Sequence, residues 1–378
     1  MKYLIYILAL LLTSCAAISD LTQEETDSNW TIYRGSSSLC GYTDCELPKD
    51  PTLVWTFKND VRTVASPIIS GGYAYTCDRK GVIRQIDENG KLVKQHDLNT
   101  PVEASFIIRD SVLYIGRIDG FVSALSLRDM HTIWEYETLG QISGSPNLIQ
   151  KGTNTQLLLG SYDNCMYTFD ALTGKKRSEF ETGYYINGAA AVWREYMVFG
   201  GCDAWLRIVN TQTGIQTDSL ELKAYVPASP AIMDNMAYVA DYEGNVYEVQ
   251  MSDNGRFVQH RALVSAHDEE ESGSVAMPTV TPDEIFILNA RTLTCIDRTS
   301  GQKRWSKLLR GEAGESSPIA CQDKVIACTK DGHVSIFDAE KGTELWHYET
   351  GEQIISSPAV TNKGFYILTS RGKLFYWN

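Results

Sequence analysis

The chain has 378 residues, which is compatible with two ordinary domains or with one large all-β unit. Its 47 acidic and 34 basic residues give a formal net charge of −13, which argues against a nucleic-acid partner, because such a partner needs a basic surface. No apolar run after residue 14 is long enough to span a bilayer, and the 20 tyrosines and 8 tryptophans favour strands.

Residues 1–14 are predicted to be an export signal. Lys2 supplies a positive start, and residues 3–12 form an apolar segment of the length that a secretory signal needs. The sequence L-T-S-C ending at Cys15 resembles the bacterial lipobox, in which cleavage precedes the cysteine and its thiol is acylated. A plain signal peptide with a chance cysteine is the alternative, but the position of this residue favours lipidation of Cys15.

Residues 15–29 are predicted to be a lipidated, flexible tether, because they are polar and acidic and have little to bury. Ala16 follows the cysteine where an aspartate could stand, which resembles an outer-membrane address. The predicted location is therefore the cell envelope, lipid-anchored at the outer membrane on its periplasmic side or at the surface. The folded region is expected over residues 30–378.

Cys40 and Cys45 lie in a short loop near the start of the folded region. In an oxidising envelope they are candidates for a small disulfide. A metal site is the weaker interpretation, because two cysteines without a nearby histidine or a second cysteine pair cannot complete a tetrahedral shell.

A Ser-Pro marker recurs along the chain and reveals an internal repeat. The marker positions are Pro67, Phe106, Pro146, Ala190, Pro230, Pro278, Pro318 and Pro358, separated by 39, 40, 44, 40, 48, 40 and 40 residues. Eight units of this length match the four-stranded blades of a propeller. The sequence therefore predicts an all-β, eight-bladed β-propeller of four-stranded antiparallel blades, which we expect to be monomeric.

The last unit has room for only three strands after its marker. The missing strand is predicted at residues 53–57, L-V-W-T-F, which resemble the Trp-containing outer strands of complete units such as E-L-W-H-Y-E at residues 344–349. We expect this N-terminal strand to complete the eighth blade, because ring closure removes two exposed sheet edges.

A small residue precedes the turn in the middle of most units. The eight positions are Cys77, Gly116, Gly160, Gly200, Ala240, Asn289, Cys328 and Leu368. We expect this pattern because strands converge near the axis of a radial array and leave little room for side chains. A redox or metal role for Cys77 and Cys328 is disfavoured, since the other six units carry non-ligands there.

Three motifs resemble those of bacterial PQQ-like β-propeller repeat proteins. W-T-I-Y-R-G at residues 30–35 is similar to the W-x-x-F-R-G opening of that family, and D-A-L-T-G at 170–174 and D-A-E-K-G at 338–342 resemble its D-A-x-x-G turns. The resemblance covers residues 30–378 and implies the propeller fold. The family spans quinoprotein dehydrogenases, BamB lipoproteins of the outer-membrane β-barrel assembly machinery and other envelope lipoproteins, so function must be inferred from a site.

The sequence does not favour an enzyme. Dehydrogenases of this family add long insertions, a vicinal cysteine pair, a tryptophan floor beneath the quinone and carboxylates around calcium. This chain has no two adjacent cysteines, and its predicted loops are short. We therefore predict no catalytic residue, no cofactor and no metal, and we expect the aspartates of the blade turns to cap those turns.

The function expected from this resemblance is a non-enzymatic envelope scaffold that binds a protein or glycan partner. A BamB-like outer-membrane β-barrel assembly factor is the runner-up, because L-R-G-E at residues 309–312 resembles a BamB segment implicated in partner contact. A PQQ-dependent dehydrogenase is the third alternative.

Aromatic residues of units three to five form the predicted binding face, where loops into the inner strands and mid-blade turns emerge together. The candidates are Tyr162, Tyr184, Tyr185, Trp205, Tyr225 and Tyr242, with Asp203, Asp241, Arg310 and Glu312. Tyrosine, tryptophan and arginine dominate interface hot spots. Filling the spaces between blades is the alternative role for the aromatics, and the acidic insertion at 267–272 is interpreted as a solvated loop.

Overall fold

The computed structural model describes residues 28–265 and 276–378, which form a ring of eight β-sheets. The predicted signal, Cys15, nearly all of the predicted tether and the acidic insertion lie outside these ranges. One turn of 3-10 helix spans Tyr33–Gly35. Within the described ranges, no helix is long and apolar enough to cross a membrane.

The strands are numbered in chain order, and each blade is counted by its Ser-Pro marker. Two strands precede the first blade: β1 (Tyr42–Thr43) and β2 (Leu53–Lys58). Blade 1 consists of β3 (Ile68–Ser70), β4 (Tyr73–Cys77), β5 (Val82–Ile86) and β6 (Leu92–Asp97), and blade 2 consists of β7 (Ile107–Arg109), β8 (Val112–Gly116), β9 (Phe121–Ser126) and β10 (Thr132–Glu137). Blade 3 consists of β11 (Asn147–Lys151), β12 (Asn154–Gly160), β13 (Cys165–Asp170) and β14 (Lys176–Glu181), and blade 4 consists of β15 (Ala191–Trp193), β16 (Tyr196–Gly200), β17 (Trp205–Asn210) and β18 (Ile215–Glu221).

The other four blades follow the same order. Blade 5 consists of β19 (Ala231–Met233), β20 (Met236–Ala240), β21 (Val246–Ser252) and β22 (Arg256–Val264), and blade 6 consists of β23 (Thr279–Val280), β24 (Glu284–Asn289), β25 (Thr292–Asp297) and β26 (Lys303–Leu308). Blade 7 consists of β27 (Ile319–Cys321), β28 (Lys324–Cys328), β29 (His333–Asp338) and β30 (Glu344–Glu349), and blade 8 consists of β31 (Ala359–Thr361), β32 (Gly364–Leu368) and β33 (Lys373–Trp377) with β2.

Strand β2 completes the eighth blade, as the sequence predicted. It pairs antiparallel to β33, with Leu53 opposite Trp377 and Lys58 opposite Lys373. The first and last parts of the chain therefore share one sheet, and the innermost strands β31 and β3 meet to complete the circle around the axis. The predicted eight-bladed propeller of four-stranded antiparallel blades is confirmed.

The sequence pattern of each strand matches its burial in the blade. The second strands of the blades are apolar and buried on both faces, as in β28 with the sequence K-V-I-A-C. The outermost strands alternate between exposed and half-buried residues, as in β26 with K-R-W-S-K-L. A continuous apolar run suits a strand between two neighbours, whereas alternation suits an outer strand with one face in water.

The serine of each Ser-Pro marker joins neighbouring blades at the axis. The backbone N–H of Ser66 in blade 1 donates to Ser105 Oγ at 2.8 Å, and the N–H of Ser357 in blade 8 donates to Ser66 Oγ at 2.9 Å. The marker therefore recurs because in six of the eight blades its hydroxyl satisfies a buried N–H of the preceding blade. Ala189 and Met277 hold the equivalent positions in blades 4 and 6 and have no hydroxyl to accept such a bond.

Tryptophans of the outermost strands join neighbouring blades at the rim. Trp134 Nε1 donates to the carbonyl of Ala171 at 2.9 Å, and Trp305 Nε1 donates to Ala339 at 2.8 Å. Both carbonyls belong to D-A-x-x-G turns of the next blade. The glycine of each turn packs beneath the indole, since a Cβ at Gly174 would lie only 2.5 Å from Trp134. The Trp strand and the D-A-x-x-G turn are thus two halves of one contact.

The segment from residue 28 to residue 47, here called the N-terminal segment, runs around the axis along the free edges of the innermost strands. Asn29 Oδ1 accepts the N–H of Gly71, a turn residue between the first two strands of blade 1, so the segment begins at that side of the ring. Its backbone then bonds to six blades in turn, through Ile69, Ile108, Val192, Ile232, Val280 and Ala320. These bonds pair strand edges that would otherwise be exposed.

Arg34 holds the N-terminal segment against blades 6 and 7. Its side chain is buried, with 1% exposure, and burial lowers the pKa of the guanidinium. The guanidinium donates to the carbonyl of Pro278 at 2.8 Å, to Thr279 Oγ1 at 3.0 Å and to the carbonyl of Leu39 at 2.9 Å. The arginine of the W-x-x-F-R-G motif is thus a structural ligand of backbone carbonyls, which offsets part of its desolvation.

The small residues before the mid-blade turns have a different cause from the predicted crowding at the axis. A Cβ on Gly160 would lie 2.5 Å from Ile186 Cγ2, and one on Gly200 would lie 2.4 Å from Val226 Cβ. Ile186 and Val226 belong to the loops that lead into the next blades, and both are fully buried. A small residue is therefore needed because the following blade inserts a branched side chain there.

Cys40 and Cys45, the predicted disulfide pair, lie in different hydrophobic clusters. Cys40 is a free thiol that packs with blades 5 and 6, whereas Cys45 packs with blades 7 and 8. Between them, β1 is extended and runs parallel to β27. The extended backbone separates the two side chains, because each residue of a strand advances the chain by about 3.3 Å.

Substitution of Trp55 in β2 provides a test of the ring closure. It donates Nε1–H to the carbonyl of Glu88 at 2.8 Å and contacts Tyr376 with ring centroids 5.5 Å apart. We expect Trp55→Ala to lower the free energy of unfolding by about 3 kcal/mol, measured by chemical denaturation. Val54→Ala on the same strand, where the side chain is 48% exposed, should cost less than about 0.5 kcal/mol. Equal costs for the two variants would contradict the closure.

Candidate functional site

One face of the ring collects the loops that lead into the innermost strands and the turns between second and third strands. We call it the funnel face. The two sets of loops are hydrogen-bonded to each other: the N–H of Tyr162 donates to the carbonyl of Gln141, and that of Tyr242 donates to Tyr225, both at 2.9 Å. The predicted convergence of these loops on one face is therefore present.

Five tyrosines of blades 3 to 5 form two stacked groups on the funnel face, which together we call the tyrosine surface. In the first group, the ring of Tyr185 lies 5.0 Å from that of Tyr162, nearly parallel, and 4.3 Å from that of Tyr184. In the second group, Tyr225 and Tyr242 stack at 4.4 Å. Tyr184, Tyr185 and Tyr242 are 49%, 39% and 48% exposed. Stacking fixes the rings while leaving their outer faces available for contact.

Leu139 extends the tyrosine surface and was not anticipated from the sequence. Its side chain is 93% exposed, and its N–H donates to Asp163 Oδ2 at 2.9 Å, which places it beside Tyr162. The sequence did contain a signal that could have identified Leu139. The corresponding loop position in the neighbouring units is polar or glycine, namely Asn99 and Gly183, whereas here it is apolar.

The two predicted aspartates of this region support the turns. Asp203 pairs with Arg207 at 2.5 Å and accepts the N–H of Gly183 from the loop beside it. Asp241 is fully buried and accepts bonds from Asn245 and from the hydroxyl of Tyr247. The expectation that such aspartates cap turns agrees with these contacts. Trp205 begins β17 and is half-buried, so it contributes less open surface than the exposed tyrosines.

Arg310 and Glu312 lie in another sector of the ring. Arg310 pairs with Glu344 on the outermost strand of blade 7 at 2.8 Å, and Glu312 pairs with Lys330. Both residues therefore bridge blades 6 and 7, whereas the tyrosine surface belongs to blades 3 to 5. The structure does not bring these two parts of the predicted site together.

A funnel of about 260 Å³ opens at the axis of the same face. Serines of the Ser-Pro markers surround it, together with Glu103, Glu315 and Tyr33 of the N-terminal segment. No tryptophan lines it, and among residues 28–265 and 276–378 no three metal-ligating side chains gather in one place. This lining does not fit a quinone held over a tryptophan with a calcium ion beside it.

Sequence comparison places the chain among known propellers. A family model described as "Outer membrane protein assembly factor BamB" matches residues 79–289 and 259–378. The chain belongs to this family. A curated relative, the outer membrane protein assembly factor BamB of Legionella pneumophila (strain Paris), is 25% identical over 170 residues. That match spans 45% of this chain and 41% of the relative, less than half of its length.

Solved structures agree on the fold. BamB from Moraxella catarrhalis is 18% identical and superimposes with a TM-score of 0.70 over 87% of this chain and 97% of its own. The quinohemoprotein alcohol dehydrogenase from Comamonas testosteroni is 12% identical, with a TM-score of 0.76 over 94% of this chain and 81% of its own. At these identities the likeness establishes the propeller and leaves the function to the site.

Asp203 should make part of the stability depend on pH. Partial burial raises the pKa of its carboxyl, but the hydrogen bonds and charge of Arg207 outweigh burial and leave that pKa below its ordinary value. A carboxyl with a lowered folded-state pKa stabilises the fold above its unfolded-state pKa of about 3.9, and this contribution disappears as the pH falls through the folded-state value.

We therefore expect Asp203→Asn to lower the free energy of unfolding by about 2 kcal/mol at pH 7, because Arg207 is left without its partner. The difference from the unmodified protein should shrink as the pH falls below about 4 and the carboxyl becomes protonated. Denaturation curves of both proteins at several pH values measure this difference in the free energy of unfolding. Asp253→Asn is the control, since that side chain is 82% exposed and should cost less than about 0.5 kcal/mol. A difference independent of pH would refute the assignment.

Proposed function

We propose that this protein is a non-enzymatic scaffold of the cell envelope that binds a protein partner through the tyrosine surface, in the manner of an outer-membrane β-barrel assembly factor. The observation that carries the proposal is the group of Tyr162, Tyr184 and Tyr185, in which Tyr184 and Tyr185 are exposed, with Leu139 beside it. Membership of the family described as BamB supports the assembly role. A glycan partner remains the second form of the scaffold hypothesis.

Several of the predicted site residues already hold the fold together. Asp203, Asp241, Arg310 and Glu312 all have partners within the chain, so binding would have to break those contacts. The tyrosines contact one another and keep wide outer surfaces. Rigid aromatic rings lose little entropy on binding and supply much contact area. The tyrosine surface is therefore the part of the predicted site best suited to a protein interface.

The lining of the funnel supports a scaffold over a dehydrogenase. Serine hydroxyls around the axis already accept backbone N–H groups from neighbouring blades, as Ser105 does from Ser66. Their role is to hold the ring together. A quinone of this family would need a tryptophan to stack on and carboxylates gathered around a cation, whereas this lining contains no tryptophan and, among the described residues, no group of three metal-ligating side chains.

The interface can be tested by cross-linked capture from the native envelope. We expect the double variant Tyr184→Ala and Tyr185→Ala to capture at least about tenfold less partner, because truncating central aromatic anchors typically costs more than 1 kcal/mol. The captured proteins should include outer-membrane β-barrel proteins or components that assemble them. Leu172→Ala is the matched control, because that residue is 80% exposed on the opposite face and should leave capture unchanged.

Circular dichroism and the melting temperature must show that the double variant keeps its fold. Normal capture by the folded double variant would refute the tyrosine surface. Capture of glycan alone would favour the second scaffold hypothesis, and stoichiometric quinone binding by the purified protein would overturn both.

We further propose that Cys15 carries the lipid anchor, as the sequence L-T-S-C after an apolar run suggests. Cys15→Ser should abolish labelling by a radioactive fatty acid and leave an unprocessed precursor, because the thiol that is acylated is gone. Ala16→Ser keeps this thiol and serves as the control. Retained labelling of Cys15→Ser would rule out the anchor.

A further inference from the structure

The N-terminal segment ends at blade 7 beside a second buried cysteine. Strand β1 runs parallel to β27, with Thr43 directly opposite Cys321. Two residues later the segment reaches Cys45. Cys40, the partner that the sequence suggested, packs between blades 5 and 6.

The backbone holds the two cysteines at the same point of the ring. The N–H of Gln322 donates to the carbonyl of Thr43 at 3.2 Å, and Gln322 Nε2 donates to the carbonyl of Asp44 at 2.5 Å. The N–H of Cys45 donates to Thr43 Oγ1 at 3.3 Å, so the chain bends immediately after the paired residue. Cys45 is thereby kept at the end of β27 instead of continuing away from it.

Both thiols are enclosed by the same hydrophobic cluster. Cys45 is 6% exposed and Cys321 is fully buried, and both pack in the cluster that contains Leu47, Ile319 and Ile326. Burial raises the pKa of the Cys321 thiol well above its ordinary value, and Cys45 is the ionisable neighbour that raises it most. Two thiols share one water-poor site.

Other cysteines are poor partners for Cys45. Cys40 has its sulfur 3.5 Å from Ser36 Oγ and lies in the cluster of blades 5 and 6. Cys328 shares the cluster of Cys321, but Cys321 pairs with Lys324, and Cys328 lies four positions after Lys324 at the other end of β28. That separation is about 13 Å along a strand, beyond the reach of a disulfide.

We propose that Cys45 and Cys321 form a disulfide that locks the N-terminal segment onto blade 7. The bond would tie a segment that is otherwise held by hydrogen bonds to a strand far away in the chain. It would act together with the pairing of β2 in blade 8, because both connect the start of the chain to its end.

The chemistry needs an oxidant that is itself a disulfide, such as oxidised glutathione. One cysteine thiolate attacks this disulfide to give a mixed disulfide and releases one thiol. The second cysteine then attacks the mixed disulfide, forms the Cys45–Cys321 bond and releases the second thiol. Two electrons and two protons leave the pair and end on the two released thiols. Since burial disfavours the thiolate, the exchange takes place while the N-terminal segment is still docking.

The test uses the full chain from residue 16 onward, refolded with oxidised glutathione and then alkylated and digested without reductant. Mass spectrometry should find the peptide of residues 35–49 joined to that of residues 311–324. Because residues 35–49 contain both Cys40 and Cys45, the digest is repeated on Cys40→Ser, where the link should persist. Dithiothreitol should lower the melting temperature by roughly 5 °C, because the broken link frees a long loop in the unfolded chain.

Cys45→Ser should remove both the linked peptide and the effect of dithiothreitol on the melting temperature. Cys77→Ala is the matched control, since it also deletes a buried thiol but should keep both signals. Absence of the linked peptide after oxidation would overturn the proposal, as would a link from Cys45 to any cysteine other than Cys321. Persistence of the dithiothreitol effect in Cys45→Ser would do the same.

Discussion

Closure of the ring is the constraint on which the rest of this structure depends. Each blade is a small sheet that cannot bury both of its faces alone, so it needs a neighbour on either side. The Ser66–Ser357 contact joins the first and last blades at the axis, and β2 supplies the outermost strand of blade 8. Closure therefore draws on both ends of the chain, which makes stability a property of the whole circle.

Three kinds of contact join each blade to the next. At the axis, a marker serine accepts a buried N–H from the preceding blade, and at the rim a tryptophan donates to the next D-A-x-x-G turn. Between them, a branched side chain such as Ile186 enters the space left by a glycine such as Gly160. Neighbouring blades therefore contact one another through different interactions at the axis, in the middle and at the rim. Each interaction requires a particular residue type, which is why that residue type recurs in the sequence.

The candidate site lies where this framework leaves side chains unused. Charged residues near the funnel face hold loops together, as Asp203 does with Arg207 and Glu312 does with Lys330. The exposed tyrosines stack on one another instead and present flat surfaces outward. The N-terminal segment starts beside Gly71, among the turns of the opposite face.

The sequence by itself determined the architecture, because a period of about 40 residues with Ser-Pro and Trp markers admits few folds other than a ring of four-stranded blades. It also indicated the closing strand at residues 53–57 and the aromatic candidates, since these are local patterns. Only the tertiary structure decided which side chains meet across the ring. It separated Cys40 from Cys45 and placed Cys45 beside Cys321, because these neighbours are set by the path of the N-terminal segment around the ring, and local sequence carries no record of that path.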